Sequence, residues 1–161
     1  LKKKFDFRHI RIERRYDPDM PQVPCAATEI EQVVLNLLRN AAQAMVEHGA
    51  CRESPAITLR LYKNDKMAVI EVQDNGPGLS EQAMKRVFEP FYTTKDVGVG
   101  TGLGLSVSYF IVTNNHNGTM EVRSEPGRGA NFIVCLPLAA DGSVRGVSDA
   151  DDFVNLKNKI K

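Results

Sequence analysis

At 161 residues, 42% of them hydrophobic, with a formal net charge of +1, the chain has room for one globular domain with a real core. That balance carries neither the basic surplus of a nucleic-acid binder nor a dominating acidic tail, and no apolar run or opening pattern reads as a bilayer span or a signal peptide. The three cysteines, Cys25, Cys51 and Cys135, are odd in number and far apart, which points to a reducing compartment and away from a disulfide framework or a zinc site. The first residue is Leu1, followed by Lys2-Lys3-Lys4, so residues 1–7 are expected to be a residual linker or tag on a piece of something longer.

Phe5 to Tyr16 reads as extended, with Ile10 and Ile12 on one face and Arg11 and Glu13 on the other. Asp17-Pro18-Asp19-Met20-Pro21 breaks it in a turn. Thr28 and Glu31 have capping-box spacing and predict a helix that opens at Thr28. Ile30, Val33, Val34, Leu37, Leu38, Ala41 and Met45 recur on one helical face, and Gly49 suits the position just past the helix end. Along one edge of that stripe Gln32, Asn36 and Asn40 step by four. Asparagine is a mediocre helix former because its amide competes for backbone groups. Two surface asparagines would be the ordinary explanation, but Leu37, Leu38 and Ala41 put this pair at the rim of the core. There an amide oxygen is a neutral, hard donor suited to Mg²⁺ or to water polarised by phosphate.

Ile57 to Tyr62 alternates, Lys63-Asn64-Asp65-Lys66 is a polar turn, and Met67 to Gln73 returns as the second arm of a hairpin. Ala68, Ile70, Val72 and Asp74 share a face, so Asp74 continues the inward row. A carboxylate there needs a hydrogen-bond donor, which an amino group on a bound heterocycle would supply. Asp74-Asn75-Gly76-Pro77-Gly78 also reads as a simple turn, and strand parity separates the two readings.

Ser80 caps a short helix running through Val87, and Phe88 and Phe91 are expected in the core. Tyr92-Thr93-Thr94-Lys95 then leads into alternating glycines, Gly98, Gly100, Gly102 and Gly104. That composition predicts a mobile loop feeding an apolar helix from Leu105 to Asn114, where backbone N–H groups at the helix start suit phosphate oxygens. The spacing is not Gly-x-Gly-x-x-Gly, and no Gly-Lys-Ser/Thr follows, so neither common nucleotide fingerprint is present. Thr119 to Ser124, the turn Pro126-Gly127-Arg128-Gly129 and Asn131 to Leu136 form a closing hairpin. Residues 139–161 read as a loosely attached or disordered tail with a short helix around Phe153 to Ile160.

Four of these segments, in this order, resemble the catalytic ATP-binding domain of sensor histidine kinases, in the superfamily shared with DNA gyrase. Asn36-Leu37-Leu38-Arg39-Asn40-Ala41 looks like its N box and Asp74-Asn75-Gly76-Pro77-Gly78 like its first glycine box. Phe88 to Lys95 looks like its F box and Gly100-Thr101-Gly102-Leu103-Gly104-Leu105 like its second glycine box. Gly127-Arg128-Gly129 is similar to the closing glycine box. The resemblance covers roughly residues 8–138, which would be the kinase domain.

The resemblance implies an α/β two-layer sandwich, a mixed sheet of about five strands with about three helices on one face, and ATP with Mg²⁺ as ligands. It implies that Asp74 accepts from the adenine amino group, that Gly76 and Gly78 let backbone approach the base, and that Asn40 binds Mg²⁺ with Asn36 beside it. Residues 93–102 would form a lid, with Tyr92, Thr93, Thr94, Lys95, Gly100, Thr101, Gly102, Leu103, Gly104 and Leu105 around the nucleotide. Asn36, Asn40 and Lys95 would carry the transfer chemistry.

Asn36 stands where the gyrase branch has a water-activating glutamate. An amide cannot take that proton, which favours transfer over hydrolysis. The histidines His9, His48 and His116 lie outside the family's acceptor pattern, so the phosphoacceptor is expected on a dimerisation helical hairpin of a homodimeric parent. A response regulator would follow it; no nucleic acid is implied, and the domain itself would be cytoplasmic and monomeric. A serine kinase of the same superfamily and a docking module that binds nucleotide without transfer are the alternatives. Two departures from the family pattern stand out: His116-Asn117-Gly118 in place of His-Gly-Gly, and Ala130 in place of a threonine near the base.

Overall fold

The computed structural model describes residues 9–47, 54–93, 101–138 and 153–159. In chain order these form β1 (Arg11–Tyr16), β2 (Val23–Pro24), α1 (Ala27–Glu47), β3 (Ala56–Asn64), β4 (Met67–Asp74), α2 (Glu81–Arg86) and α3 (Gly104–Phe110). A π-helical turn, Ile111–Asn115, continues α3 and is followed by β5 (Thr119–Ser124), β6 (Ala130–Pro137), β7 (Phe153–Val154) and α4 (Leu156–Lys159). Phe5 to Arg8 of the expected first strand and Gly49 lie outside the described residues.

The sheet has five strands in the order β1-β3-β4-β6-β5. β1 runs parallel to β3 and the other pairs are antiparallel, so the sheet is mixed as expected. The β3–β4 hairpin turns on Asp65-Lys66, with Asp65 in the left-handed region at φ 52°. Its alternation is what buries Ile57, Leu59 and Leu61 together with Ala68, Ile70, Val72 and Asp74. The apolar stripe of α1 closes onto this row: Ile30, Val33, Leu37, Ala41 and Met45 are all buried. Removing a core side chain of this kind costs about 2–5 kcal/mol, through lost transfer energy and the cavity left behind.

The opposite face of the sheet carries a polar network. Glu71 accepts from Tyr62 at 2.7 Å, from Arg60 at 3.0 Å and from Asn131 at 3.2 Å. Burial alone would raise the Glu71 pKa, but these bonds outweigh it and hold the carboxyl below its usual range. The same bond to Glu71 pushes the Tyr62 pKa up to about 12.

Two expectations are corrected. The first concerns the start of α1, which opens at Ala27 with Thr28 exposed inside its first turn. The Ala26 carbonyl accepts from Glu29 and Ile30, both at 3.1 Å, while the Ala26 N–H donates to Nε2 of His116 at 3.0 Å. The acceptor that orders this helix start comes from 90 residues away, beyond any local capping pattern. The second concerns the tail. Its described part, residues 153–159, is docked: β7 pairs antiparallel with β2, Leu156 is buried in the core, and Lys157 donates to the Pro18 carbonyl. The short helix is present, but its apolar anchor removes the looseness expected from composition.

Candidate functional site

β4 ends on Asp74, which is 5% exposed. Its Oδ1 accepts the N–H of Gly76 at 2.8 Å and of Ala130 at 3.3 Å. Burial raises its pKa above the ordinary aspartate range, and the two backbone bonds draw it partly back. Among the described residues no donor reaches Oδ2. Asp74 lines a cavity of about 300 Å³, so a donor for that oxygen has to come from the cavity. Gly129 makes this arrangement possible. It sits at φ +84°, and a Cβ there would stand 2.0 Å from the Asp74 carbonyl oxygen, so only glycine lets the β5–β6 turn close onto the end of β4.

The long wall of the cavity is α1. At its middle, Asn36 Nδ2 donates to the Ser108 hydroxyl at 3.2 Å and to the Gly104 carbonyl at 3.4 Å, which ties α1 to α3. Asn40, one turn on, is half-buried and lines the cavity, and its side chain makes no hydrogen bond among the described residues. Near the helix end Met45 packs against Gly76, its Cγ 3.1 Å from where a Cβ would be. At roughly 1.5 Å of rise per residue, Asn36 and Met45 are about 14 Å apart along the axis. The cavity therefore has a carboxylate end at Asp74 and an amide end at Asn36, separated by the reach of a nucleoside with a phosphate chain. Gln32, which shares the spacing, is exposed and lines nothing.

The remaining wall comes from the F-box end and the start of α3. Tyr92, Thr93, Thr101, Gly102, Gly104 and Leu105 all line the cavity, as does Gly78. Gly76 contributes its N–H to Asp74, while Leu103 is exposed and off the cavity. Thr94, Lys95 and Gly100 lie outside the described residues. Phe88 packs against Tyr109 and Phe132 with ring centroids 5.0 and 6.4 Å apart. Phe91, expected in the core, is instead 75% exposed. Its backbone explains this: Phe91 is left-handed at φ 64° and donates its N–H to the Gly102 carbonyl at 2.9 Å, which turns the ring outward.

Sequence reasoning passed over Arg39, Gln43 and Phe132 as site residues, and all three line the cavity, as does Ala130, which the family resemblance places near the base. Arg39 is the one cation among the lining residues described here. Helical periodicity from Asn36 and Asn40 reaches Gln43, and strand pairing would have found Phe132. Val72 stands opposite Phe132 and Gln73 opposite Asn131, so Asp74 faces Ala130 across β6.

A buried acid, a rim of helical asparagines and a glycine-bearing wall are shared with a known family. The family model described as histidine kinase-, DNA gyrase B-, and HSP90-like ATPase matches residues 25–140. The chain belongs to this family. Within it, this ATPase-fold domain is a catalytic domain of the two-component sensor histidine kinase type. It is similar to the sporulation kinase E of Bacillus subtilis, 38% identical over 127 residues that make up 79% of this chain and 16% of that protein. It is also similar to the catalytic domain of histidine kinase ThkA, at 30% identity and a TM-score of 0.68, covering 82% of this chain and 84% of that one. Full-length ShkA in complex with AMPPNP matches at 27% identity and a TM-score of 0.68, covering 81% of this chain and 26% of that one. The chain thus spans a minor part of the full-length kinases it matches. Among the described residues no helix is long and apolar enough to cross a membrane.

Proposed function

We propose that the cavity binds ATP with Mg²⁺, and that the domain passes the γ-phosphoryl group to a histidine on a dimerisation helical hairpin of its parent kinase. The observation that carries this reading is Asp74: buried, pinned through Oδ1 by two backbone donors, with Oδ2 left for a donor in the cavity. The 6-amino group of adenine is such a donor. Gly76 and Gly78 leave room for the base beside it. The phosphates would then lie toward the Asn36 end of the cavity, among Tyr92, Thr93, Thr94, Lys95, Gly100, Thr101, Gly102, Gly104 and Leu105, with Arg39 within reach.

The residues at that end suit a hydrated Mg²⁺. Asn40 and Asn36 offer neutral oxygens, and among the described residues no cluster of three or more His, Cys, Asp or Glu forms an all-protein cage. When bound, Mg²⁺ would spread the charge of the transferring phosphoryl group. Asn36 and Asn40 would orient it, and neither amide can take a proton from water, which favours transfer over hydrolysis. An exposed apolar stripe beside the cavity mouth, Leu103, Val107 and Phe110 with Phe91, suits docking of the acceptor helix. A response regulator would take the phosphoryl group onward. The domain would be cytoplasmic, and monomeric by itself within a homodimeric parent.

Calorimetric titration of this chain with ATP and with inosine triphosphate tests the adenine assignment. Inosine carries a carbonyl acceptor where adenine carries its amino group. ATP is expected to bind at least ~10-fold tighter, because an unmatched buried polar group is costly. Equal affinities would contradict the assignment.

A further inference from the structure

Ser108 is one of the few fully buried polar side chains, at 0% exposure, and the cavity does not reach it. Its hydroxyl oxygen accepts from Asn36 Nδ2 at 3.2 Å across the α1–α3 interface. The Gly104 carbonyl, 3.4 Å from the same nitrogen, fixes which way round the amide sits, because a carbonyl oxygen can only accept. Both amide hydrogens of Asn36 are thereby directed at α3, and the group it has left for the cavity is the carbonyl oxygen.

That polarity decides what Asn36 can serve. Phosphate oxygens need donors, and an amide oxygen turned toward them is repelled. A hydrated cation needs acceptors, which the amide oxygen supplies. We infer that Ser108 is a positioning residue: it locks the Asn36 amide as an acceptor at the phosphate end of the cavity, so that Asn36 acts on the hydrated Mg²⁺ and not on the phosphate itself. The inference rests on the Mg²⁺-ATP reading above. Without the Ser108 oxygen only the long bond to Gly104 holds the amide. It is then free to turn and offer its N–H to a phosphate oxygen, which strengthens metal-free binding and weakens the metal-assisted mode.

The test is the ratio of ATP affinities with and without Mg²⁺, measured calorimetrically on this chain alongside its melting temperature. Ser108→Ala is expected to fold and to reduce the Mg²⁺ advantage roughly fivefold, the worth of one hydrogen bond. Ser108→Cys, close in shape but a weak acceptor, should do the same, and Ser108→Thr should retain the wild-type ratio. Asn36→Ala should lower the ratio by itself, and adding Ser108→Ala to it should change nothing further. Equal weakening with and without Mg²⁺, or effects of Asn36→Ala and Ser108→Ala that simply add, would reduce Ser108 to a packing residue and overturn the inference alone. A wild-type chain that binds no ATP would overturn the nucleotide reading and this inference with it.

Discussion

Nε2 of His116 accepts the backbone N–H of Ala26 at 3.0 Å, while Nδ1 of the same ring faces the Ile111 carbonyl at 3.0 Å. One buried imidazole therefore joins the start of α1 to the π-helical turn that ends α3, with Nδ1 carrying the proton. Both helices contribute to the cavity, so their relative placement depends on this ring. His116→Ala should lower stability by about 2–4 kcal/mol, combining a buried void with a backbone donor left unpaired. Urea denaturation measures this, and an unchanged midpoint would show that the helix start holds itself.

Asp74 should separate binding from folding. Its raised pKa means that the folded state prefers the protonated form. That contribution to stability is present below the pKa of an unfolded aspartate and is lost as pH rises through the raised one. At neutral pH the folded protein carries the buried charge at some cost. Asp74→Asn should therefore leave stability unchanged or raise it, since the amide oxygen can still accept from Gly76 and Ala130. Its new N–H would face the adenine amino group, so ATP affinity should fall at least ~10-fold and inosine triphosphate should become the preferred ligand. Equal losses of stability and binding would sink the adenine role. In the wild type, ATP binding should weaken as pH falls through the raised Asp74 pKa.

Gly102 and Phe91 form a clasp between the F-box end and the start of α3. A Cβ on Gly102, at φ +65°, would stand 2.5 Å from the Phe91 carbonyl carbon. Gly102→Ala should cost about 1–3 kcal/mol, and the Phe91 amide should lose protection in hydrogen exchange. Retained protection would mean that the clasp forms without glycine.

Leu156 anchors the end of the chain at 1% exposure. Leu156→Ala should destabilise by about 2–5 kcal/mol. A loosely attached tail would instead give no change in melting temperature.

The sheet was legible because β3, β4, β5 and β6 alternate and are bounded by turn residues, and only parity placed Asp74 on the inner face. The spacing of the α1 amides led to the cavity for Asn36 and Asn40 but not for Gln32, since spacing alone does not say where a stripe leaves the rim. Long-range partners were not legible. Nothing near Thr28 says that His116 will order the helix start, and nothing near Leu156 says that it will find the core. Phe91 misled because an aromatic normally packs inward, whereas here a left-handed backbone reverses its direction. Phe132 required the register between β4 and β6, which fixes neighbours that local sequence cannot.

Phosphoryl transfer tests the central claim most directly. This chain, mixed with the helical hairpin of its parent and γ-labelled ATP in Mg²⁺, should label the hairpin, and the label should be acid-labile and base-stable, as phosphohistidine is. The label should disappear with Asn40→Asp. Acid-stable label would assign the acceptor to serine, and ATP binding with no transfer would leave a docking module; either result would contradict the account.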